Sequence, residues 1–290
     1  MTRYLPDLAQ LMVDDAVKAA LLEDWGRAGD ITSQATIPVD KTATAVIAAR
    51  KPGVLSGLAL AESAFRQTDQ RITFEPLLKD GDRLEKGAVI ARIIGPARGI
   101  LSAERVALNF ACHLSGIATA TARFADLIAH TKADIVCTRK TTPGLRSFEK
   151  YAVRCGGGSN HRFGLDDAIL IKDNHIAVAG GVKAAIEAAQ AFAGHLVKIE
   201  VEVDTLDQLQ DALTCNPDVV MLDNMDPAQM KQAVEITKGH IGSKVLLEAS
   251  GGIEADTVKA VAEAGVDLIS SGWITHSAPI LDLGLDIEIN

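Results

Sequence analysis

Apolar residues recur at helical spacing through residues 6 to 24, at Leu8, Leu11, Met12, Ala16, Ala19 and Ala20. The pattern stops at EDWGRAGDITS, where Gly26 and Gly29 close the predicted helix. Two stretches, TATAVIAARKPGVLSG and ITFEPLLKDGDRLEKGAVIARIIGPA, then read as β-rich, with turns at Lys51-Pro52-Gly53, Asp80-Gly81 and Gly95-Pro96. Between them AESAFRQ, residues 61 to 67, has helical character, so this part of the chain reads as a small α/β sandwich.

At Ser102 the pattern changes. SAERVALNFACHLSGIATATARFADLIAH is long and amphipathic, opens with an N-cap and an acid in the first turn, and predicts a helix that Gly116 could break. Beyond it short β-branched runs alternate with Ala-rich helical segments. The runs ADIVC, AILI, VKIEV, DVVML, KVLLEA and DLIS end respectively at Thr138-Arg139-Lys140, Lys172, Glu202, Asp223, Ser250 and Ser271. Six strands whose C-terminal ends all carry reactive side chains favour a parallel α/β barrel with one functional rim. An open doubly wound sheet is the alternative, although it concentrates such residues at a single switch point.

Composition narrows the function. The 290-residue chain is 48% hydrophobic, enough for a large core, and its net charge of −9 and 4% aromatic content argue against a nucleic-acid surface. Its apolar runs are shorter than a membrane span, and residues 1 to 30 lack a secretory signal pattern. The four cysteines, Cys112, Cys137, Cys155 and Cys215, are scattered without a close pair, which points to a reducing cytoplasm and against a zinc knuckle.

Against this acidic background residues 138 to 175 stand out. They hold Arg139, Lys140, Arg146, Lys150, Arg154, Arg162 and Lys172 against only four acids, and Pro143 and Gly156-Gly157-Gly158 break them. The segment reads as an anion-binding loop system, with arginine forks for carboxylate or phosphate and lysines as mobile point charges. Any one of these cations taken alone is better explained by a surface ion pair.

Glu202 and Asp223 end successive strands opposite the cations. Acids beside an anion pocket repel its ligand unless a cation stands between, and Mg²⁺, held by Glu202 and Asp223 directly or through water, is the economical choice. Ser250-Gly251-Gly252 and Ser271-Gly272 follow late strands, where glycine turns can face backbone N–H groups toward a phosphate. No GxGxxG or GxxxxGK[ST] motif is present, which removes the dinucleotide and P-loop readings.

Taken together, EDWGRAGDITS, SAERVALNFACHLSGIAT, TRKTTPGLR, EKYAVRCGGGSNHRFGLDDAILIKDNH, IEVEV, MLDN, EASGGI and ISSGWITHSAPILDLGLDI resemble the quinolinate phosphoribosyltransferase family nearly end to end. The resemblance implies a type II phosphoribosyltransferase: an α/β sandwich over residues 1–115, a parallel α/β barrel of six or seven strands over 116–275, and a tail, 276–290, that returns to the sandwich. It implies a cytoplasmic homodimer whose sites are shared between subunits, with any higher assembly left open. Quinolinate and phosphoribosyl pyrophosphate would give nicotinate mononucleotide, pyrophosphate and CO₂ with Mg²⁺, in de novo NAD synthesis, with no nucleic-acid or membrane partner.

Carried over by motif, Arg139, His161, Arg162 and Lys172 would hold the quinolinate carboxylates, with Arg105 reaching in from the partner subunit. Thr138 shares the strand end with them. Lys140, Glu202 and Asp223 would form the catalytic face toward the phosphoribosyl pyrophosphate and its metal. Ser250, Gly251, Gly252, Ser271, Gly272 and Trp273 would cradle phosphate. Two rivals compete: the ModD-type paralogue of molybdate transport systems, less favoured by LIKDNH and the Arg105 helix, and a Schiff-base aldolase using Lys172 or Lys140. A lysine nucleophile needs an apolar pocket to lower its pKa, and both lysines sit among polar and cationic residues. A non-catalytic anion binder gains nothing from the strand-end acids.

Overall fold

The computed structural model describes residues 4–242 and 244–289. The chain opens with α1 (Gln10–Trp25), whose buried Val13, Val17 and Leu21 recur one helical turn apart and which stops at Gly26 with φ +54°. α2 (Ile31–Thr36) is capped by the Asp30 carboxylate, which accepts from the Ser33 N–H at 2.9 Å. Then come β1 (Thr42–Ala49), β2 (Gly53–Val54), α3 (Leu58–Thr68), β3 (Thr73–Pro76), β4 (Arg83–Leu84), β5 (Val89–Pro96) and the long α4 (Ala97–Ile128). The rest is β6 (Asp134–Val136), α5 (Arg146–Cys155), β7 (Ile169–Ile171), α6 (Asp173–Ala179), α7 (Val182–Phe192), β8 (Ile199–Val203), α8 (Leu206–Leu213), β9 (Val219–Asp223), α9 (Pro227–Lys238), β10 (Leu246–Ser250), α10 (Val258–Glu263), β11 (Leu268–Ser270), α11 (Trp273–His276) and β12 (Leu283–Ile289).

Two compact units result: Met1–Ala122 with Phe148–Gly157 and Ala278–Asn290, and Arg123–Ser147 with Gly158–Ser277. The first holds an antiparallel sheet in the order β12-β1-β5-β3. Residue 115, where the sequence suggested a boundary, lies within α4, and the contacts divide the chain further along the same helix, after Ala122. Most of α5, expected among the barrel loops, belongs to the first unit, where Glu149 and Lys150 are fully buried and Glu149 meets His113 at 2.9 Å. The returning tail forms β12, paired with β1 from Ala43↔Ile289 to Ala49↔Leu283, while the expected last residue, Asn290, lies outside the described residues.

α4 differs from expectation at two points. It starts at Ala97, so Ser102 sits inside it, its hydroxyl donating to the Arg98 carbonyl and the Asp30 carboxylate rather than capping. It also runs unbroken through Gly116, where a Cβ would lie 2.3 Å from the Pro279 carbonyl oxygen. Close approach of the tail, rather than a helix break, requires that glycine.

The second unit holds the six expected strands in one parallel sheet, ordered β6-β11-β10-β9-β8-β7. From β7 to β11 each strand lies beside its predecessor in sequence, and β6, the first, lies beside β11, the last. Winding in one direction with first next to last is barrel order; a doubly wound sheet reverses from its middle. β8 is buried at every position, as a strand covered on both faces requires. Helices follow the strands on clear start signals: Thr205 and Asp226 each accept the N–H three residues on, and Pro227 takes the first turn of α9.

Candidate functional site

The C-terminal strand ends and the loops after them enclose a cavity of about 700 Å³, a size that suits a small ligand. Thr138, Arg139 and Lys140 reach it from the end of β6, His161 and Arg162 from the loop before β7, and Lys172 from the end of β7. Glu202 arrives from β8 and Asp223 from β9. Ser250, Gly251 and Gly252 close it after β10, and Ser271, Gly272 and Trp273 after β11.

Arg105 stands apart from this set. It sits on an exposed face of α4, in the third turn rather than the first, and pairs with Glu104 at 2.6 Å. Of the seven cations in residues 138–175, only Arg139, Lys140, Arg162 and Lys172 line the cavity. Arg146 braces the loops instead, donating to Thr141 Oγ1 at 3.0 Å and the Phe163 carbonyl at 2.9 Å. Lys150 is buried in α5, and Arg154 donates to the Tyr4 carbonyl.

The cations are held apart from full neutralisation. Arg162 gives Nη1 to the Ala168 carbonyl at 3.0 Å, while its buried Nε has no hydrogen-bond partner. Burial, and then the neighbouring Arg139, push the Arg162 pKa down from its ordinary value, the signature of crowded positive charge awaiting an anion. An arginine remains charged at neutral pH even so. Lys172 does have a partner: its Nζ donates to Glu202 Oε2 at 2.5 Å.

His161 was expected to grip a carboxylate, but both its ring nitrogens are already engaged. Nδ1 accepts the Arg162 N–H at 2.8 Å, and Nε2 faces Glu200 Oε2 at 2.7 Å. The ring therefore fixes the backbone that carries Arg162.

Glu202, 9% exposed, is neutralised by Lys172, whereas Asp223 keeps unbalanced charge. Burial raises the Asp223 pKa first, followed by Asp204 and Asp173, with Lys172 and Lys140 opposing. A carboxylate with two other acids among its charged neighbours is a hard-oxygen ligand short of positive charge, which fits Mg²⁺ at Asp223 better than at Glu202. The Asp223 side chain is oriented by Asn224, whose Nδ2 donates to Oδ2 at 2.7 Å from a left-handed φ of +53°. Gly251 makes room for this arrangement: its φ is +95°, and a Cβ there would lie 2.1 Å from Asn224 Oδ1.

The remaining turn residues are mostly occupied in holding the rim. Ser271, buried, donates its hydroxyl to the Ile253 carbonyl, and Thr275 Oγ1 donates to the Lys140 carbonyl, tying the β6 loop to α11. Trp273 stacks on Phe124 with ring centroids 5.8 Å apart. α10 begins at Val258, because Glu254 to Thr257 form a turn closed by the Thr257 hydroxyl.

Sequence reasoning missed Glu200, Glu248, Asn224, Glu254 and His276. Glu248 and the last three line the cavity; Glu200 stands behind His161. Two of them left a trace: Glu200 shares a strand face with Glu202 by the two-residue period, and Glu248 likewise with Ser250.

Known families account for both halves of the chain. Residues 30–115 match the model for the quinolinate phosphoribosyl transferase N-terminal domain, and residues 117–286 match that for its C-terminal domain. The probable nicotinate-nucleotide pyrophosphorylase (carboxylating) of Bacillus subtilis is 45% identical over 269 residues, 93% of this chain and 91% of that protein. The Mycobacterium leprae nicotinate-nucleotide pyrophosphorylase (carboxylating) is 44% identical, covering 94% of this chain and 96% of its own. Among solved structures, the nicotinate-nucleotide pyrophosphorylase of Francisella tularensis superposes with a TM-score of 0.93 at 40% identity, over 99% of this chain and 100% of that one. NadC from Streptococcus pyogenes gives 0.93 at 42%, over 98% and 99%. On the two domain matches and these full-length similarities, the chain belongs to the quinolinate phosphoribosyl transferase family.

Proposed function

We propose that this protein transfers the phosphoribosyl group of phosphoribosyl pyrophosphate to quinolinate with loss of CO₂, giving nicotinate mononucleotide and pyrophosphate for NAD synthesis. The observation that carries this reading is the meeting of Arg139, Lys140, Arg162 and Lys172 in one cavity with Asp223, Glu202 and two glycine turns. A dicarboxylate and a polyphosphate are the ligands such a cavity can hold side by side.

Arg139 and Arg162 grip the dicarboxylate, with the Arg162 backbone fixed by His161. Lys172, half-exposed on a flexible stem, exchanges its Glu202 contact for a ligand carboxylate. Freed in that exchange, the Glu202 carboxylate stands near the positive charge that grows on the ribose as pyrophosphate departs, and Lys140 faces the departing negative charge. The pyridine nitrogen is the nucleophile and requires no base, so positioning supplies most of the rate. Once that nitrogen is quaternary, the C2–carboxylate bond breaks, CO₂ leaves, the electron pair stays on C2 beside the ring cation, and a proton from water takes the vacated position. Mg²⁺, held at Asp223 with Glu202 nearby, would neutralise the diphosphate. The glycines of the Ser250–Gly252 turn and Gly272 would present backbone N–H groups to phosphate, while the Ser271 N–H is held by the Val136 carbonyl.

We further propose a homodimer in which Arg105 of the partner subunit completes the quinolinate clamp. The exposure of the Arg105 side chain, 67%, supports this, because its ion pair among the described residues is with its own neighbour, Glu104. The cytoplasm is the proposed compartment, supported by four free thiols. Among the described residues no helix is long and apolar enough to cross a membrane. The ion pair between Lys172 and Glu202 speaks against the Schiff-base alternative, since a lysine nucleophile must shed its proton.

The test is a purified-protein assay for nicotinate mononucleotide and CO₂ from quinolinate, phosphoribosyl pyrophosphate and Mg²⁺. Product that forms from all three and is lost on omitting any of them supports the reading. Its absence, or a borohydride-trapped adduct with a keto acid, overturns it.

A further inference from the structure

Two acids beneath the cations have no part in the transfer just described. Glu200 on β8 and Glu248 on β10 are 7% and 1% exposed, and each has one carboxyl oxygen, Oε1, without a hydrogen-bond partner. With His161 they form a tight trio whose nearest ligand-type atoms all lie within 4.8 Å of one another. His161 Nε2 stands 2.7 Å from Glu200 Oε2 and 3.9 Å from Glu248 Oε1.

The ring sits between backbone and acid: His161 Nδ1 faces the Arg162 N–H at 2.8 Å, and Nε2 faces Glu200, the nearer carboxylate. Glu248 is left deep in the protein beside Glu200, with the Ser270 hydroxyl as a further partner. Two buried carboxylates this close disfavour the second negative charge. Burial, and then the charge of Glu200, push the Glu248 pKa up to about 8, with His161 and Ser270 opposing.

We propose, building on the quinolinate reading, that Glu248 works as a neutral carboxylic acid under the dicarboxylate pocket, a positioning residue whose ionisation expels the ligand. In its protonated form it leaves the field of Arg139 and Arg162 available to the ligand and lets Glu200 hold the ring that orients Arg162. In its ionised form it sets a negative charge on the cavity lining, beneath the place where two carboxylates must bind. The groups facing it are Glu200 from β8, His161 from the loop before β7 and Ser270 from β11. This is a specificity device for acid ligands: it lets the site tolerate acids on its own strands without repelling its substrate.

The experiment measures kcat and the KM of each substrate from about pH 6.5 to about pH 9.5 for the wild type and Glu248→Gln, a range over which quinolinate remains a dianion. In the wild type the KM for quinolinate should rise on the order of tenfold across the alkaline half of that range, while the KM for phosphoribosyl pyrophosphate changes less than about twofold. In Glu248→Gln the alkaline rise should be lost, the KM for quinolinate changing less than about twofold from the acid to the alkaline end of the range. An alkaline rise that persists in Glu248→Gln, or none in the wild type, overturns the proposal.

Infrared difference spectra provide an arm independent of turnover and of the variant's folding. The wild type should show the C=O stretch of a buried protonated carboxyl at neutral pH that fades as the pH rises, and a spectrum without that band is equally fatal. A divalent metal bound to the wild type at one per chain, and lost in Glu248→Gln, would replace the shared proton and also refute the idea. If the wild type yields no nicotinate mononucleotide at any pH, the quinolinate reading fails while the infrared band still judges the state of Glu248.

Discussion

Arg162→Met separates binding from stability at one position. Methionine keeps the apolar stem and removes the guanidinium. Removing it loses the Nη1 hydrogen bond to the Ala168 carbonyl, a charged bond of about 1.5–3 kcal/mol net. It also relieves a buried Nε that has no partner, a penalty of about 1–3 kcal/mol. Repulsion from Arg139 is relieved while attraction to Glu200 and Asp167 is lost, and, screened by solvent because Arg162 is partly exposed, these offset one another to within about 1 kcal/mol. These contributions nearly cancel, so the melting temperature should remain within about 4 °C of wild type. Quinolinate binding should instead lose about 2–5 kcal/mol, a rise in its KM between roughly 30-fold and a few thousandfold. Thermal melts and steady-state kinetics on the same preparations decide the matter. A KM within about threefold of wild type, with the melt lowered by about 8 °C or more, would make Arg162 a structural residue and remove it from the clamp.

Further predictions rest on separate contacts. Gly251→Ala forces a Cβ onto Asn224 Oδ1 and strains a positive φ, so it should cost about 2–4 kcal/mol of stability and lower kcat by freeing Asp223; an unchanged melt and kcat would contradict this. Asp223→Asn should lower kcat on the order of a hundredfold and weaken the Mg²⁺ dependence, with quinolinate affinity by calorimetry within about threefold of wild type; loss of quinolinate binding instead would move Asp223 into the clamp. Asp30→Ala removes the α2 cap and should destabilise by about 1 kcal/mol at neutral pH. Hydrogen bonds from Ser33, then Ser102, hold the Asp30 pKa below the usual carboxylate range, so its stabilisation is present above about pH 4 and lost as the pH falls through the folded value. Melts of the two proteins should therefore converge in acid, and a gap independent of pH would refute the assignment.

The barrel was legible because its signal repeats: six β-branched runs, each ending in a polar residue, left few arrangements open, and all six form the parallel sheet. Strand ends fixed by a two-residue period placed Lys172, Glu202 and Asp223 in the cavity. Tertiary contacts decided the rest. Nothing local distinguishes Arg146, which braces two loops, from Arg139, which faces the cavity, because the difference lies in where a loop crosses. Gly116 looks like a helix breaker until the tail carbonyl at Pro279 is seen against it. α5, cationic and next to glycines, resembled a loop, yet its fully buried Glu149 and Lys150 make it a core helix of the first unit.

Acids on buried parallel strands are the more general clue. Such strands are normally apolar on both faces, and β8 and β10 place Glu200, Glu202 and Glu248 where valine or isoleucine would stabilise the barrel. Each acid is tolerable only with a compensating partner: Lys172 for Glu202, the His161 ring for Glu200, and a retained proton for Glu248. Compensation of this kind is conditional, because Lys172 can exchange its partner and a proton can leave. A ligand that draws Lys172 away therefore alters the charge on Glu202 at the moment the reaction develops positive charge on the ribose. On this argument the strand acids serve catalysis because their neutralisation is reversible, and replacing Glu202 by an apolar residue should stabilise the empty barrel while disabling it.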